Sequence, residues 1–163
     1  MCDNEAMRIL GIDPGTGILG FGIIEVEKGK TQLVDGGVIR TPVKEDDAVR
    51  LLTIYEELTD IIAATQPRVM SVEKLFFARN VTTAMTVAQA RGVVLLCGRQ
   101  ADMEIYEYTP MQIKQAITGY GKADKKQMQE MVRTILGLSE IPKPDDAADA
   151  IAAALTHAQN VRY

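Results

Sequence analysis

The stretch ILGIDPGTGILGFGI, residues 9–23, holds one carboxylate, Asp13, among apolar residues, glycine, proline and threonine. A buried, unpaired carboxylate is expensive, so Asp13 must sit at the rim of a core beside a polar partner or bind a cation. RILGID at 8–13 reads as a short strand that ends on this acid, and PGTG reads as the turn that follows. GFGIIEVEKGK (20–30) alternates in part and closes in a glycine turn, and QLVDGGVIR (32–40) is a third strand. Turns this short join antiparallel neighbours, because a parallel return needs a crossover of about a dozen residues or more.

The period then changes. Val49, Leu52, Ile54, Leu58, Ile61 and Ile62 mark an amphipathic helix over 46–66 that stops before Pro67. A strand at 68–73 follows, entered through that helical crossover. Residues 80–99 have apolar positions at helical spacing, with Ala84, Ala88, Gly92 and Leu95 or Leu96 forming a small-residue face that admits another helix. MEIYEY at 103–108 alternates as a strand. Thr109, Pro110 and Gln112 open a helix with a cap, a first-turn proline and a box. It ends near Gly119, and helices over 124–136 and 145–160 complete the chain. The pattern predicts an α/β fold: a five-stranded mixed sheet, three antiparallel strands then two parallel, flanked by helices.

Bulk properties set limits. The 163 residues are 47 % hydrophobic and 25 % charged, which suits one domain over 1–163 with a sizeable core. MCDNEAM at 1–7 is polar and is expected to be disordered, with Met7 near the start of the folded part. No apolar run of about 18 residues and no basic leader is read, so the expectation is a cytoplasmic protein without membrane segments. Cys2 and Cys97 are too few for a disulfide scaffold, and Cys97 in GVVLLCG reads as a small buried hydrophobe. Charge is uneven: residues 1–67 carry 6 Lys and Arg against 12 Asp and Glu, whereas 68–99 carry 5 against 1. The basic middle holds Arg68, Lys74, Arg79, Arg91 and Arg99, followed by Lys114, Lys122, Lys125, Lys126 and Arg133. A net charge of −4 argues mildly against nonspecific polyanion binding, yet a local positive face is enough for nucleic acid.

Other acids stand where they can join Asp13. Glu73 ends the apolar strand VMSVE, and ligands of open sheets lie outside the carboxyl ends of parallel strands. In KPDDAADAIAAALTHA (143–158), Asp146 and Asp149 share one helix face that continues through Ala150, Ala153 and Ala154. Asp145 is explained by the helix N-terminus, with its dipole and exposed amides, and Asp149 is not. Four converging carboxylates need cations between them. Magnesium or manganese suits such an oxygen site, and two ions about 4 Å apart stabilise the attacking and leaving oxygens of phosphoryl transfer. On this reading Asp13 bridges the ions, Glu73, Asp146 and Asp149 complete their ligands, and metal-activated water hydrolyses a phosphodiester. His157 lies about 16 Å along the helix from Asp146, too far to take part, and reads as structural.

RILGIDPGTGILGFGII, SVEKLFFARN, AQARGV, YTPMQIKQAITGYGKADKKQMQEMV and KPDDAADAIAAALTH, in that order, closely resemble the RuvC family of bacterial Holliday junction endonucleases, from about residue 8 to 158. The resemblance implies a ribonuclease H-like fold and a homodimer that faces a four-way DNA junction and cuts it by paired symmetric nicks. It also implies action alongside the RuvA and RuvB branch-migration proteins, in recombination and repair. The family's catalytic acids fall onto Asp13, Glu73, Asp146 and Asp149. An aromatic used near the junction centre falls onto Phe76, and DNA-contacting basic residues fall onto Lys114 and Lys125, with Lys122 nearby. Rival readings are a noncatalytic junction-binding module, a ribonuclease H-like enzyme cutting RNA-containing duplex, and an actin-like or sugar-kinase phosphate loop, which needs a second lobe.

Overall fold

A computed structural model of the chain describes residues 5–74, 80–161 and 163. Expectations that fall on residues 1–4 and on Phe76, Phe77 and Arg79 lie outside the described residues. Of the expected disordered start, Glu5 is ion-paired with Arg68 at 2.6 Å and Met7 opens the first strand.

The elements are β1 (Met7–Asp13), β2 (Ile18–Glu27), β3 (Lys30–Arg40), α1 (Asp47–Thr65), β4 (Val69–Glu73), α2 (Val81–Gln100), β5 (Glu104–Tyr108), α3 (Pro110–Thr118), α4 (Lys125–Leu136) and α5 (Asp145–Asn160). They form one five-stranded sheet in the order β3-β2-β1-β4-β5, in which β1, β2 and β3 pair antiparallel and β1, β4 and β5 pair parallel. β2 and β3 begin earlier than their alternation suggests. The hairpin between them shrinks to Lys28 and Gly29, with φ 50° and 75°, and a two-residue turn of this hand matches the strand twist. Helix ends follow their capping chemistry. Asp46 accepts from the Val49 amide, Gln66 takes a left-handed conformation that stops α1 before Pro67, and both Thr109 with Gln112 and Asp124 with Gln127 close capping boxes.

Strand alternation sorts the core into two layers. Leu10 and Ile12 of β1 and Met70 and Val72 of β4 pack with Ile54, Leu58 and Ile62 of α1 and with Ala90 and Val94 of α2. Ile9 and Val69 face the other way, onto α3, α4 and α5. By the same parity Gly11 and Asp13, and Ser71 and Glu73, lie on the α5 face. That face is cut deep. A Cβ on Gly11 would overlap the Ala150 carbonyl, one on Gly20 the Asp146 carbonyl, and one on Gly22 the Ile151 side chain. Gly11 pairs across the ladders with Gly22 and Ser71, so small residues from three adjacent strands form one trough. Helix α5 lies in it, and the Ser71 hydroxyl donates to the Ala153 carbonyl at 2.6 Å.

Two expectations change. By length and composition α2 is long and apolar enough to cross a bilayer, contrary to the expectation of no such run. The reason lies in its sides: Ala84, Ala90, Val94, Cys97 and Gly98 are buried, whereas Val81, Met85, Ala88, Gly92 and Leu96 are exposed along one stripe. Ala84 therefore belongs to the inner face, apart from Ala88 and Gly92. His157 is fully buried, with Nδ1 2.8 Å from the Tyr108 hydroxyl and Nε2 2.6 Å from the Tyr163 hydroxyl, which fits its structural reading.

The trough predicts an asymmetric response to one methyl group. Gly11→Ala should lower unfolding free energy by about 3 kcal/mol, because backbone rather than a pliable side chain blocks the new atom. Urea denaturation measures this, and a loss below about 1 kcal/mol would mean that α5 is not seated as described.

Candidate active site

Asp13 and Glu73 are the last residues of β1 and β4, the adjacent parallel strands, on the face that α5 covers. Both leave the sheet at its carboxyl edge and are only half-buried. Helix α5 starts above that edge, because Gly20, the ladder partner of Asp13, lies directly beneath Asp146. One turn further, Asp149 also reaches the site. The structure thus brings the four acids singled out in the sequence to one end of one sheet.

Their mutual influence is explicit. Burial first, then the charges of Glu73 and Asp149, a hydrogen bond with Glu73 and the charge of Asp146 push the Asp13 carboxyl up to about 8. Glu73 is raised mainly by burial and further by Asp149, while its hydrogen bond from Asp13 and the nearby Lys114 ammonium pull it down. The hydrogen bond between the two carboxyl groups thus acts in opposite directions on them, raising Asp13 and lowering Glu73. Burial also raises Asp149, opposed by Lys125. Among the described residues no three carboxylate, His or Cys side chains form a ready coordinating cluster. The donor set is nonetheless all oxygen, which fits a hard divalent cation. A cation would also relieve the repulsion that, after burial, raises Asp13, Glu73 and Asp149.

A pocket of about 290 Å³ opens beside the acids, lined by Glu73, Asp149, Lys114 and Lys125 together with Ile113 and Met128. The capped start of α3 sets Lys114 near Glu73, and the capped start of α4 sets Lys125 near Asp149 and Asp146. Lys122 is exposed in the connection between α3 and α4 and does not line this pocket. Phe76 lies outside the described residues. Asp145 stands in the first turn of α5, as its helix-N-terminus reading expects, but makes no side-chain cap hydrogen bond; it is also tied elsewhere, with Lys125 Nζ 3.0 Å from its Oδ2 and the Gln129 amide donating to its Oδ1 at 2.9 Å. The hydrogen bond and charge of Lys125 hold Asp145 below the usual carboxylate range. This tie was missed because the partners are distant in sequence and no periodicity links them.

The family model described as crossover junction endodeoxyribonuclease RuvC matches residues 9–157. The chain is 55 % identical over 155 residues to the crossover junction endodeoxyribonuclease RuvC of Desulfitobacterium hafniense, covering 95 % of this chain and 94 % of that protein. Against the same enzyme of Heliobacterium modesticaldum it is 52 % identical over 157 residues, covering 96 % and 97 %. Among solved structures, T. thermophilus RuvC in complex with a Holliday junction substrate superposes with a TM-score of 0.90 at 40 % identity, covering 94 % of both chains. The yeast mitochondrial Holliday junction resolvase Ydc2, at 15 % identity and TM-score 0.69 over 94 % of this chain and 78 % of its own, shares the fold.

Crowded acids cost stability, and the sign is testable. A carboxyl whose folded pKa is raised lends stability that is fully present below about pH 4 and is lost as pH climbs. For Asp13 the loss runs up to about pH 8. In metal-free buffer at pH 8, Asp13→Asn should therefore melt about 3–6 °C above the unaltered protein, and the gap should close near pH 4. An Asn variant that melts lower at pH 8 would contradict the electrostatics.

Proposed function

The chain belongs to the RuvC family of crossover junction endodeoxyribonucleases, and from that premise we propose how its own residues cut a four-way DNA junction. It is an endonuclease that hydrolyses phosphodiester bonds to resolve Holliday junctions. The observation that carries the mechanism is the convergence of Asp13 with Glu73, Asp149 and Asp146 at the carboxyl edge of adjacent parallel strands.

In our reading Asp13, Glu73, Asp146 and Asp149 are the catalytic residues and would hold divalent cations, magnesium or manganese, two in each site. Such cations supply positive charge against the scissile phosphate and lower the pKa of attacking water. The residues do the rest. The Asp13 carboxyl, pushed up to about 8, would have to be deprotonated to act as a ligand, so loading improves as pH rises. Lys114 and Lys125 bind backbone phosphates beside the acids, and Asp145 orients Lys125 through the ion pair already described. Ile113 and Met128 restrict water on the pocket side. Lys122 contacts the backbone farther out, and Phe76 stacks at the junction centre.

A second copy of the chain completes the proposal. The exposed stripe of Val81, Met85, Ala88, Gly92 and Leu96 is apolar, and its small residues let another helix approach closely. A homodimer places two sites in twofold relation against a nearly twofold junction, so that the cuts fall as paired symmetric nicks. We assign the protein to the cytoplasm, within recombination and repair, with RuvA and RuvB as partners.

The test compares a labelled four-way junction, a linear duplex and an RNA–DNA hybrid, with magnesium, manganese or chelator. Paired cuts confined to the junction are expected. Asp149→Asn should bind the junction within about twofold of the unaltered protein while cleaving at least about 100-fold more slowly. Normal cleavage by this variant would remove Asp149 from the site, and preferential cutting of the hybrid would favour a ribonuclease.

A further inference from the structure

Four of the described arginines are half-buried, and three of them have a carboxylate partner. Arg8 pairs with Glu25 at 2.8 Å, Arg133 with Glu130 at 3.0 Å, and Arg91 with Glu107. Arg50, in the first turns of α1, has no carboxylate partner among the described residues. Of the two acids that open α1, Asp46 caps the Val49 amide, and Asp47, three residues before Arg50, forms no ion pair with it. A guanidinium carries its charge at every working pH, so taking it partly out of water without a counter-ion is costly unless an anion arrives.

Its orientation is set. Arg50 Nε donates to the Thr41 hydroxyl at 3.0 Å, and that hydroxyl donates to the Thr16 carbonyl at 2.5 Å. The Thr41 amide donates to the Gly17 carbonyl at 3.1 Å. Thr41 and Thr16 are both buried, so the knot joins the end of β3, α1 and the PGTG loop. Because Nε is spent on Thr41, the two amino groups of the fork are left over, and Nη2 lies 3.3 Å from where a Gly17 side chain would begin. A larger residue at 17 would crowd the fork. The loop it touches begins directly after Asp13, at the same carboxyl edge of the sheet.

We propose that Arg50 is a phosphate-binding residue for the DNA backbone, on the β2/β3 side of Asp13. Lys114 and Lys125 lie on the other side, with α3 and α4, so a strand crossing the acids is held at both flanks. The fork suits a phosphate, since two parallel N–H groups can meet two oxygens. This inference rests on the nuclease reading above, and the experiment separates the two.

Junction binding is measured with the full chain in chelator, where no cutting occurs, from 50 to 200 mM salt. Arg50→Gln should raise Kd about 5- to 20-fold at 100 mM salt and make the log–log salt dependence shallower by about one. Arg50→Lys should keep the slope, because the charge remains, yet bind several-fold more weakly because the fork is gone. A lower melting temperature with Kd and slope unchanged in Arg50→Gln would make Arg50 a structural residue and overturn the subsite alone. If that variant does not fold, Arg50→Lys decides: full affinity overturns the proposal, and weaker binding at the same slope supports it. Failure of the unaltered protein to bind the junction would instead overturn the nuclease reading, and the subsite with it.

Discussion

The fit of α5 into a side-chain-free trough on the sheet is the constraint from which the rest follows. Gly11, Gly20 and Gly22 leave room for the helix backbone itself, and Ser71 adds a buried hydrogen bond from β4. Ala150, Ala153 and Ala154 match them from above and are almost fully buried. Contact this close fixes the height and the axial position of the helix at once, because interiors packed to crystal-like density tolerate little slippage. The start of α5 is thereby held over the ends of β1 and β4. Two carboxylates from a helix and two from strands meet without any loop having to be ordered first.

That rigidity is what lets the protein keep like charges together. Mutual repulsion would spread four acids on flexible segments, but here the backbone is committed by ladders and by the seated helix, and burial, with the repulsion added to it, appears as raised proton affinity instead. The cations around the site are held by comparable devices. Capping boxes fix the starts of α3 and α4, which carry Lys114 and Lys125, and Asp145 ties Lys125 from the far side. Asp13 and its neighbours are thus preorganised for a positively charged ligand, at an expense to the stability of the unliganded fold.

Much of this is legible in the sequence because it obeys parity. Alternation in RILGID and VMSVE puts Asp13 and Glu73 on one side of the sheet, and helical spacing puts Asp146 and Asp149 on one side of α5. The short PGTG and Lys28–Gly29 connections force the antiparallel half, and the helix over Asp47–Thr65 forces the parallel return. What escaped has no period. The faces of α2 could not be assigned because both are apolar, and only packing shows that Ala84 turns inward while Ala88 and Gly92 turn out. The ties of Asp145 to Lys125 and of Arg50 to Thr41 join residues from different elements, and a linear pattern carries no trace of them. The trough was equally hidden, since isolated glycines in strands look like weaknesses until the helix that needs them is in place.

The central claim is that Asp13, Glu73, Asp146 and Asp149 together bind divalent ions. Crystals soaked in manganese and measured at its absorption edge test this most directly, because the anomalous signal locates the ion independently of the protein. The account predicts a peak within coordination distance of an Asp13 oxygen and of at least one of Glu73, Asp146 and Asp149. Manganese bound elsewhere, with no peak within coordination distance of Asp13, would contradict it.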